Sequence, residues 1–282
     1  MIRQLASDYP IQVLCEVLSV PRSTVYYTPQ EKAGDAVLLG AIDQIVMRWP
    51  FYGYRRVTAQ LKRERHTVGE RRVRRLLRQI NHSASVGRVR VRTTDSEHGE
   101  ARFANLVKTL DITRPNQVWV ADITYIRLGR QFIYLAVMVD AFTRGLRGWQ
   151  LSHSLEAADL TGGALRMALQ RHPAPDIHHS DQGKQYAAAS YRALLPATTH
   201  VSMSAVGQPT ENGLVERFMR TLKEEHLDYS DYRDFDDALA QIAHWLEVEY
   251  MTERIHSALD YLTPAEFEAA YVHQPDSPLA PL

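Results

Sequence analysis

Hydrophobic positions along the 282-residue chain recur in two rhythms, and the change from one to the other falls near residue 116. Before it, the period is helical. Ile11 to Leu18 reads as an apolar helix, followed by SVPRSTVYY, in which Pro21 can open a second short one. Ala36 to Met47 is strongly apolar, WPFYG breaks it, and Tyr54 to Glu64 continues as a basic helix. Val73, Leu76, Leu77 and Ile80 then fall at i, i+3, i+4 and i+7, with Thr67 and Glu70 ahead of them spaced as a capping box. Asn81 to Asn116 has no sustained period and reads as a linker.

Past it the period shortens. Gln117 to Leu128, Gln131 to Asp140 (joined through Gly129-Arg130) and Gly145 to Ser152 predict a three-stranded meander. Glu156 to Arg171 predicts a helix, Asp176 to Ser180 a strand, Ser190 to Leu195 a helix and His200 to Met203 a strand. Thr210 to Glu225 is helical, and Phe235, Leu239, Ile242, Leu246 and Tyr250 mark another amphipathic helix. LTPAEF and the Pro-rich end read as a frayed tail. The expected division is an N-terminal helical arm (1–34), a basic module (35–80), a linker (81–114), a core (115–270) and a tail (271–282).

Charge sharpens this division. The formal net charge is zero, yet Arg48 to Arg92 holds fourteen Lys or Arg against two acids, Glu64 and Glu70. A block that basic is an electrostatic footprint for nucleic acid, and its alternative is a merely soluble surface. Hydrophobic content of 45% supports a sizeable core with room for a second small domain. Cys15 is the single cysteine, which excludes a disulfide framework and a cysteine-based zinc site. No window approaches the roughly 18 apolar residues of a membrane span. The expectation is a cytoplasmic protein, which the resemblance set out below makes a bacterial, nucleoid-associated one.

Three carboxylates carry the candidate chemistry. Asp122 lies inside the β-branched run QVWVADITYIRL, where an unpaired buried carboxylate would be costly and a metal ion would remove the cost. Asp181 closes DIHHS ahead of a Gln182-Gly183 turn, at the carboxyl end of a predicted strand. Glu216 follows 35 positions later on a helix whose buried stripe is Leu214, Val215, Phe218 and Leu222, and it shares the opposite face with Arg220 and Lys223. Oxygen-only ligands of this kind suit Mg²⁺ or Mn²⁺, with two ions about 3.5–4 Å apart able to serve in-line attack at phosphorus.

The segments WVADITYI, HHSDQGKQY and ENGLVERFMRTLKEE resemble the catalytic signature of insertion-sequence transposases of the second-reading-frame (OrfB) kind, IS-three group, relatives of retroviral integrases. The resemblance runs from about Asp35 to Phe267. It implies an α/β fold, a ribonuclease-H-like mixed five-stranded sheet flanked by helices, preceded by a small all-α helix-turn-helix-like DNA-binding region. It also implies that Asp122, Asp181 and Glu216 are the DDE metal ligands and that Lys223 contacts DNA near the cut. Double-stranded DNA, a homo-oligomer and a short upstream helix-turn-helix protein, separate or fused by frameshifting, are the implied partners. Lys184, Glu211, Met251 and Ile255 depart from the usual pattern of the group, and these departures bear on substrate positioning rather than on the triad.

Arg55, Arg56, Arg71, Arg72, Arg75 and Arg78 in the basic module, together with Lys184, Arg220 and Lys223, are the expected DNA-contacting residues. Asp140 at a strand end reads as an acceptor for turn amides rather than a ligand. His178 and His179 are adjacent in a strand and point to opposite faces, so they cannot share a zinc ion. Trp119 reads as core, and Gln182 and Tyr186 either touch DNA or shape the turn. Two rival functions stay open: a ribonuclease-H-like nuclease or resolvase, and a non-catalytic DNA-binding regulator.

Overall fold

The computed structural model describes residues 5–26, 34–84, 103–205 and 212–273. Five strands form one mixed sheet in the order β3-β2-β1-β4-β5. They are β1 (Val118–Leu128), β2 (Gln131–Asp140), β3 (Leu146–Ser152), β4 (Ile177–Ser180) and β5 (His200–Met203). β1 and β2 pair antiparallel down to Leu128↔Gln131, and Gly129, at φ 58°, supplies the left-handed residue that so tight a turn demands. β3 continues the meander, whereas β4 and β5 run parallel to β1. This is the ribonuclease-H-like mixed sheet, with β1 at its centre.

Both faces of the sheet are covered, which is why β2 reads as a nearly unbroken apolar run. On one face Val118, Val120, Leu135, Val137 and Trp149 pack against Val215, Phe218 and Leu222 of a helix at Gly213–Leu222, against Ile242 of the next, Phe235–His244, and against Trp245 and Leu246 just beyond it. On the other face Trp119, Ala121, Ala136 and Met138 meet Ala164, Leu165 and Ala168 from a helix at Thr161–Arg171 and Leu160 just ahead of it. Gly148 on β3 lets that helix approach closely: a Cβ there would run into the Ala164 carbonyl and the Ala168 amide.

The helices are α1 (Ile11–Val17), α2 (Arg22–Tyr26), α3 (Asp35–Arg48), α4 (Tyr54–Arg63), α5 (Glu70–Gln79), α6 (Thr161–Arg171), α7 (Lys184–Ala187), α8 (Ala189–Arg192), α9 (Gly213–Leu222), α10 (Phe235–His244) and α11 (Pro264–His273). Wider π turns prolong α9 over Lys223–Leu227 and α10 over Trp245–Glu253. Among the described residues no helix is long and apolar enough to cross a membrane.

Helices α3 to α5 enclose their own core of Leu38, Ile42, Val57, Leu61, Val73 and Leu76, and Ile255, from beyond α10, is fully buried in it. The Ile255 amide donates to the Tyr52 hydroxyl at 3.1 Å, so the module and the sheet domain share a seam. Arg48 pairs with Glu253 across it, and Arg63 pairs with Glu266 at 2.5 Å.

Several local expectations are corrected. Thr67 and Glu70 do not form a capping box: Gly69 is the N-cap of α5 and Glu70 its first residue, without a side-chain cap. The same spacing does form a box at Thr263 and Glu266, where the Thr263 hydroxyl accepts from the Glu266 amide at 3.2 Å and Glu266 accepts from the Thr263 amide at 2.9 Å. LTPAEF therefore opens α11 rather than fraying.

The helix expected from Glu156 begins at Thr161. The preceding residues make a wide turn in which the Gly162 amide reaches the Ala157 carbonyl at 2.7 Å. Residues 103–114, read as linker, belong with the sheet domain: Val107, Leu110 and Ile112 pack on its core, and the Leu106 amide donates to Ser202 at 2.9 Å. The linker residues 85–102, Thr210 and Glu211, expected to open the helix that carries Glu216, residues 1–4 and 27–33 of the arm, and the tail after His273 lie outside the described residues.

Candidate active site

Parallel pairing of β1 with β4 ends at Ala121↔Ser180, and Asp122 and Asp181 come next on the two strands. Neighbouring strands lie about 4.8 Å apart, so the ladder itself brings the two carboxylates together. Asp122 also shares the parity of Val118 and Val120, which is the face covered by α9. Burial, and then the charge of Asp181, pushes the Asp122 carboxyl up to about 7, with Glu216 adding to the rise and the Ile123 amide and Lys223 opposing it. The Ile123 amide donates to Asp122 Oδ1 at 2.8 Å.

Asp181 is oriented by its own turn, its Oδ1 accepting from the Gly183 amide at 2.9 Å. An added Cβ on Gly183 would stand 2.9 Å from that oxygen, so the small residue keeps the turn closed around the acid. Glu216 projects from α9, partly exposed, with Arg220 and Lys223 exposed on the same helix. Asn212 anchors the start of α9: it is buried, and its Nδ2 lies 3.5 Å from the Ala121 carbonyl, next to Asp122. Tyr186 is 2% exposed, its hydroxyl has no hydrogen-bond partner among the described residues, and burial together with Tyr191, Asp122 and Asp181 holds its ionisation well above the usual range. The sequence pattern puts Asn212 inside the helix expected from Thr210, where its side chain gives no signal of this contact.

As the side chains stand, no group of three or more His, Cys, Asp or Glu among the described residues is arranged to hold a metal ion. The structure thus brings Asp122 and Asp181 together and sets Glu216 and Lys223 within electrostatic reach of Asp122.

The expected DNA-contacting residues divide. Lys184, Arg55, Arg71 and Arg78 are exposed, as is Arg74, whose guanidinium, like that of Arg55, lies over the ring of Tyr54. Arg72 and Arg75 do not present free guanidinium groups: they bind Asp35 at 2.7 and 2.5 Å, because Asp35 is buried at the first turn of α3 and an unpaired charge there is costly. Arg56 turns away from the outer surface into the seam, 3.9 Å from Glu225.

Other polar residues are structural. Asp140 is fully buried and accepts from the amides of Asn116, Phe142 and Thr143 at 2.7, 2.9 and 2.8 Å, with Arg147 3.2 Å away. His178 meets the Tyr191 hydroxyl at 2.8 Å and His179 meets Ser202 at 2.8 Å, on opposite sides of β4. Trp119 is core, its indole N–H donating to Asn116 at 3.0 Å. Gln182 is buried.

Comparison with known proteins accounts for nearly all of the chain. Models of the integrase core domain match residues 112–209 and 198–264, and a model of an HTH-like domain matches residues 32–92. The insertion element IS600 uncharacterized 31 kDa protein of Shigella sonnei is 35% identical over 271 residues, covering 93% of this chain and 99% of that protein. Transposase InsF for insertion sequence IS3A of Escherichia coli K12 is 31% identical over 282 residues, covering 95% and 96%. Among solved structures, the simian T-cell lymphotropic virus intasome in complex with a PP2A regulatory subunit aligns with a TM-score of 0.49 at 19% identity, covering 86% of this chain and 77% of that one. With relatives above 30% identity matched almost end to end, the chain belongs to the insertion-sequence transposases that carry an integrase core behind a helix-turn-helix-like domain.

Proposed function

We propose that this transposase cuts DNA at the ends of its insertion sequence and joins the freed ends to a target, with Asp122, Asp181 and Glu216 as the catalytic triad. The observation that carries the reading is the placement of Asp122 and Asp181 at equivalent points of neighbouring parallel strands, where their charges crowd each other. Oxygen-only donors, one of whose carboxyls is raised by burial and then by its neighbour's charge, fit a hard divalent cation, Mg²⁺ or Mn²⁺. When bound, a pair of such ions activates the attacking oxygen and stabilises the leaving one.

The chain's own residues do the positioning. The Gly183 amide and the Ile123 amide fix the two aspartates, while α9 and the turn that prolongs it carry Glu216 and Lys223 within electrostatic reach of Asp122. Lys223, Arg220 and Lys184 supply cations beside the acids for the phosphates that flank the scissile bond, and Arg55, Arg71, Arg74 and Arg78 offer a second basic face on the module. Water as nucleophile gives cleavage, and a freed 3′-hydroxyl gives joining. Pairing two DNA ends calls for a homo-oligomer, and an upstream helix-turn-helix protein is the proposed further partner.

Incubation of the chain with DNA bearing the element's terminal repeats and Mg²⁺ tests the reading. End cleavage followed by strand-transfer products is expected. Cleavage with no joined product would favour a nuclease, and binding without either would make the chain a regulator.

A further inference from the structure

Where α4 meets the end of the catalytic helix, two guanidinium groups share one carboxylate. Glu225, on the π turn that prolongs α9, is engaged by Arg254, whose Nε and Nη2 donate to its two oxygens at 2.6 Å each. This bidentate pair is buried, with Arg254 3% and Glu225 9% exposed, and it engages both carboxylate oxygens. Arg56 arrives third. Its Nη1 stands 3.9 Å from Glu225, beyond hydrogen-bond range, and its guanidinium lies over the Tyr52 ring, 5.4 Å from the centroid.

No acceptor bonds the Arg56 side chain among the described residues, although that side chain is only 20% exposed. A guanidinium carries five donors in a planar fork shaped for carboxylate or phosphate. Placed here it leaves the seam one positive charge in excess, and neighbouring Arg254 and Arg217 add to the repulsion. Burial first, and then Arg254, lowers Arg56 to about 10, with Glu225 and Tyr52 opposing the shift. His256, also facing the cluster, is held neutral by burial and by these arginines.

We infer that Arg56 is the fixed half of a phosphate site at this seam, taking one phosphodiester of bound DNA between the helical module and the helix that carries Glu216. A surface arginine would grip DNA anywhere along the module. One held against Tyr52 and the Glu225–Arg254 pair fixes the distance from its phosphate to the catalytic acids. The inference rests on the proposed DNA-joining function and adds to it a positioning contact.

The test uses the full chain and a labelled random-sequence duplex, with affinity followed between about 50 and 200 mM salt, where each phosphate contact adds about 0.9 to the slope of log affinity against log salt. Arg56→Gln is expected to make the slope shallower by about 0.9 with a melting temperature equal to or above that of the wild type, and Arg56→Lys is expected to keep the slope. An unchanged slope with a lowered melting temperature overturns the inference and makes Arg56 a structural counter-ion of Glu225. Stabilisation of the wild type by inorganic phosphate at matched ionic strength, with the DNA slope unchanged in Arg56→Gln, overturns it in favour of a free-anion site. If Arg56→Gln folds poorly, Arg56→Met, which keeps the aliphatic stem and removes the charge, is read in the same way: a slope shallower by about 0.9 supports the site, and an unchanged slope overturns it. A wild-type chain that binds no duplex removes the DNA-joining reading itself.

Discussion

Asp122 and Asp181 are neighbours because β1 and β4 run parallel in a register whose last pair is Ala121↔Ser180. Burial and the second charge together hold the Asp122 carboxyl near 7, so ionised acids here are under strain that a divalent cation would relieve. Asp122→Asn, Asp181→Asn and Glu216→Gln are each expected to abolish cleavage by at least about a hundredfold while leaving duplex affinity and melting temperature close to wild type. Because a proton must leave the pair when a cation binds, Mg²⁺ is expected to raise the melting temperature and to release protons in calorimetry near neutral pH. Near-wild-type cleavage by any of the three variants would remove that residue from the site.

The arginines of α5 separate into two groups with different expected effects. Arg71, Arg74 and Arg78 face solvent, and Arg72 and Arg75 bind the buried Asp35. Replacing the exposed three by Ala is expected to flatten the salt dependence of DNA binding by roughly two to three units with little change in stability. Replacing Arg72 and Arg75 strands the Asp35 carboxylate and is expected to cost about 3 kcal/mol, read as a lower melting temperature. A salt slope that responds only to the second pair would place the DNA on the other side of the helix.

How far the sequence alone reached depended on how local each determinant was. The stripe Val73, Leu76 and Leu77 and the strands on either side of Gly129 follow from periods of a few residues, and they stand where the pattern puts them. Asp122 stood out because a carboxylate inside a β-branched run needs a partner. By contrast, Thr67-Glu70 and Thr263-Glu266 have the same spacing, yet only the second is a capping box, since Gly69 caps α5 two residues later than the pattern implies. Which arginines of α5 face outward depends on Asp35, 37 positions away, and the inward turn of Arg56 depends on Glu225 and Arg254. Those partners are set by tertiary contacts that no local window contains.

Acid should weaken the fold through its buried histidines. His178 and His226 are lowered by burial to about 4, and His256 lies well below its ordinary value for the same reason, reinforced by Arg254. A histidine with a depressed value in the folded state contributes stability that is present above its unfolded value, about 6.5, and is lost as pH falls toward the folded one. Melting temperature is therefore expected to fall steadily from about pH 6.5 to pH 4. His226→Gln should make that decline shallower, and a profile flat over this range would show that these rings protonate without cost in the folded chain.

Asp140 offers the sharpest contrast with Asp122, being also an aspartate of the central strands and yet built into the frame. It is fully buried, accepts three backbone amides and lies against Arg147, which Glu268 holds from the other side at 2.6 Å. Asp140→Ala frees those amides and removes one of the two anions balancing a guanidinium that is itself only 3% exposed. The expected loss is about 3–5 kcal/mol, seen in denaturant titration as a lowered midpoint. Because Asp140 holds the start of β3 through the Phe142–Gly145 turn rather than the acids, Mg²⁺ should still stabilise whatever fraction of the variant is folded. Cleavage per folded molecule, measured at low temperature, should stay near wild type. An Asp140 variant that keeps its stability but loses cleavage would mean that the chemistry extends to this carboxylate as well.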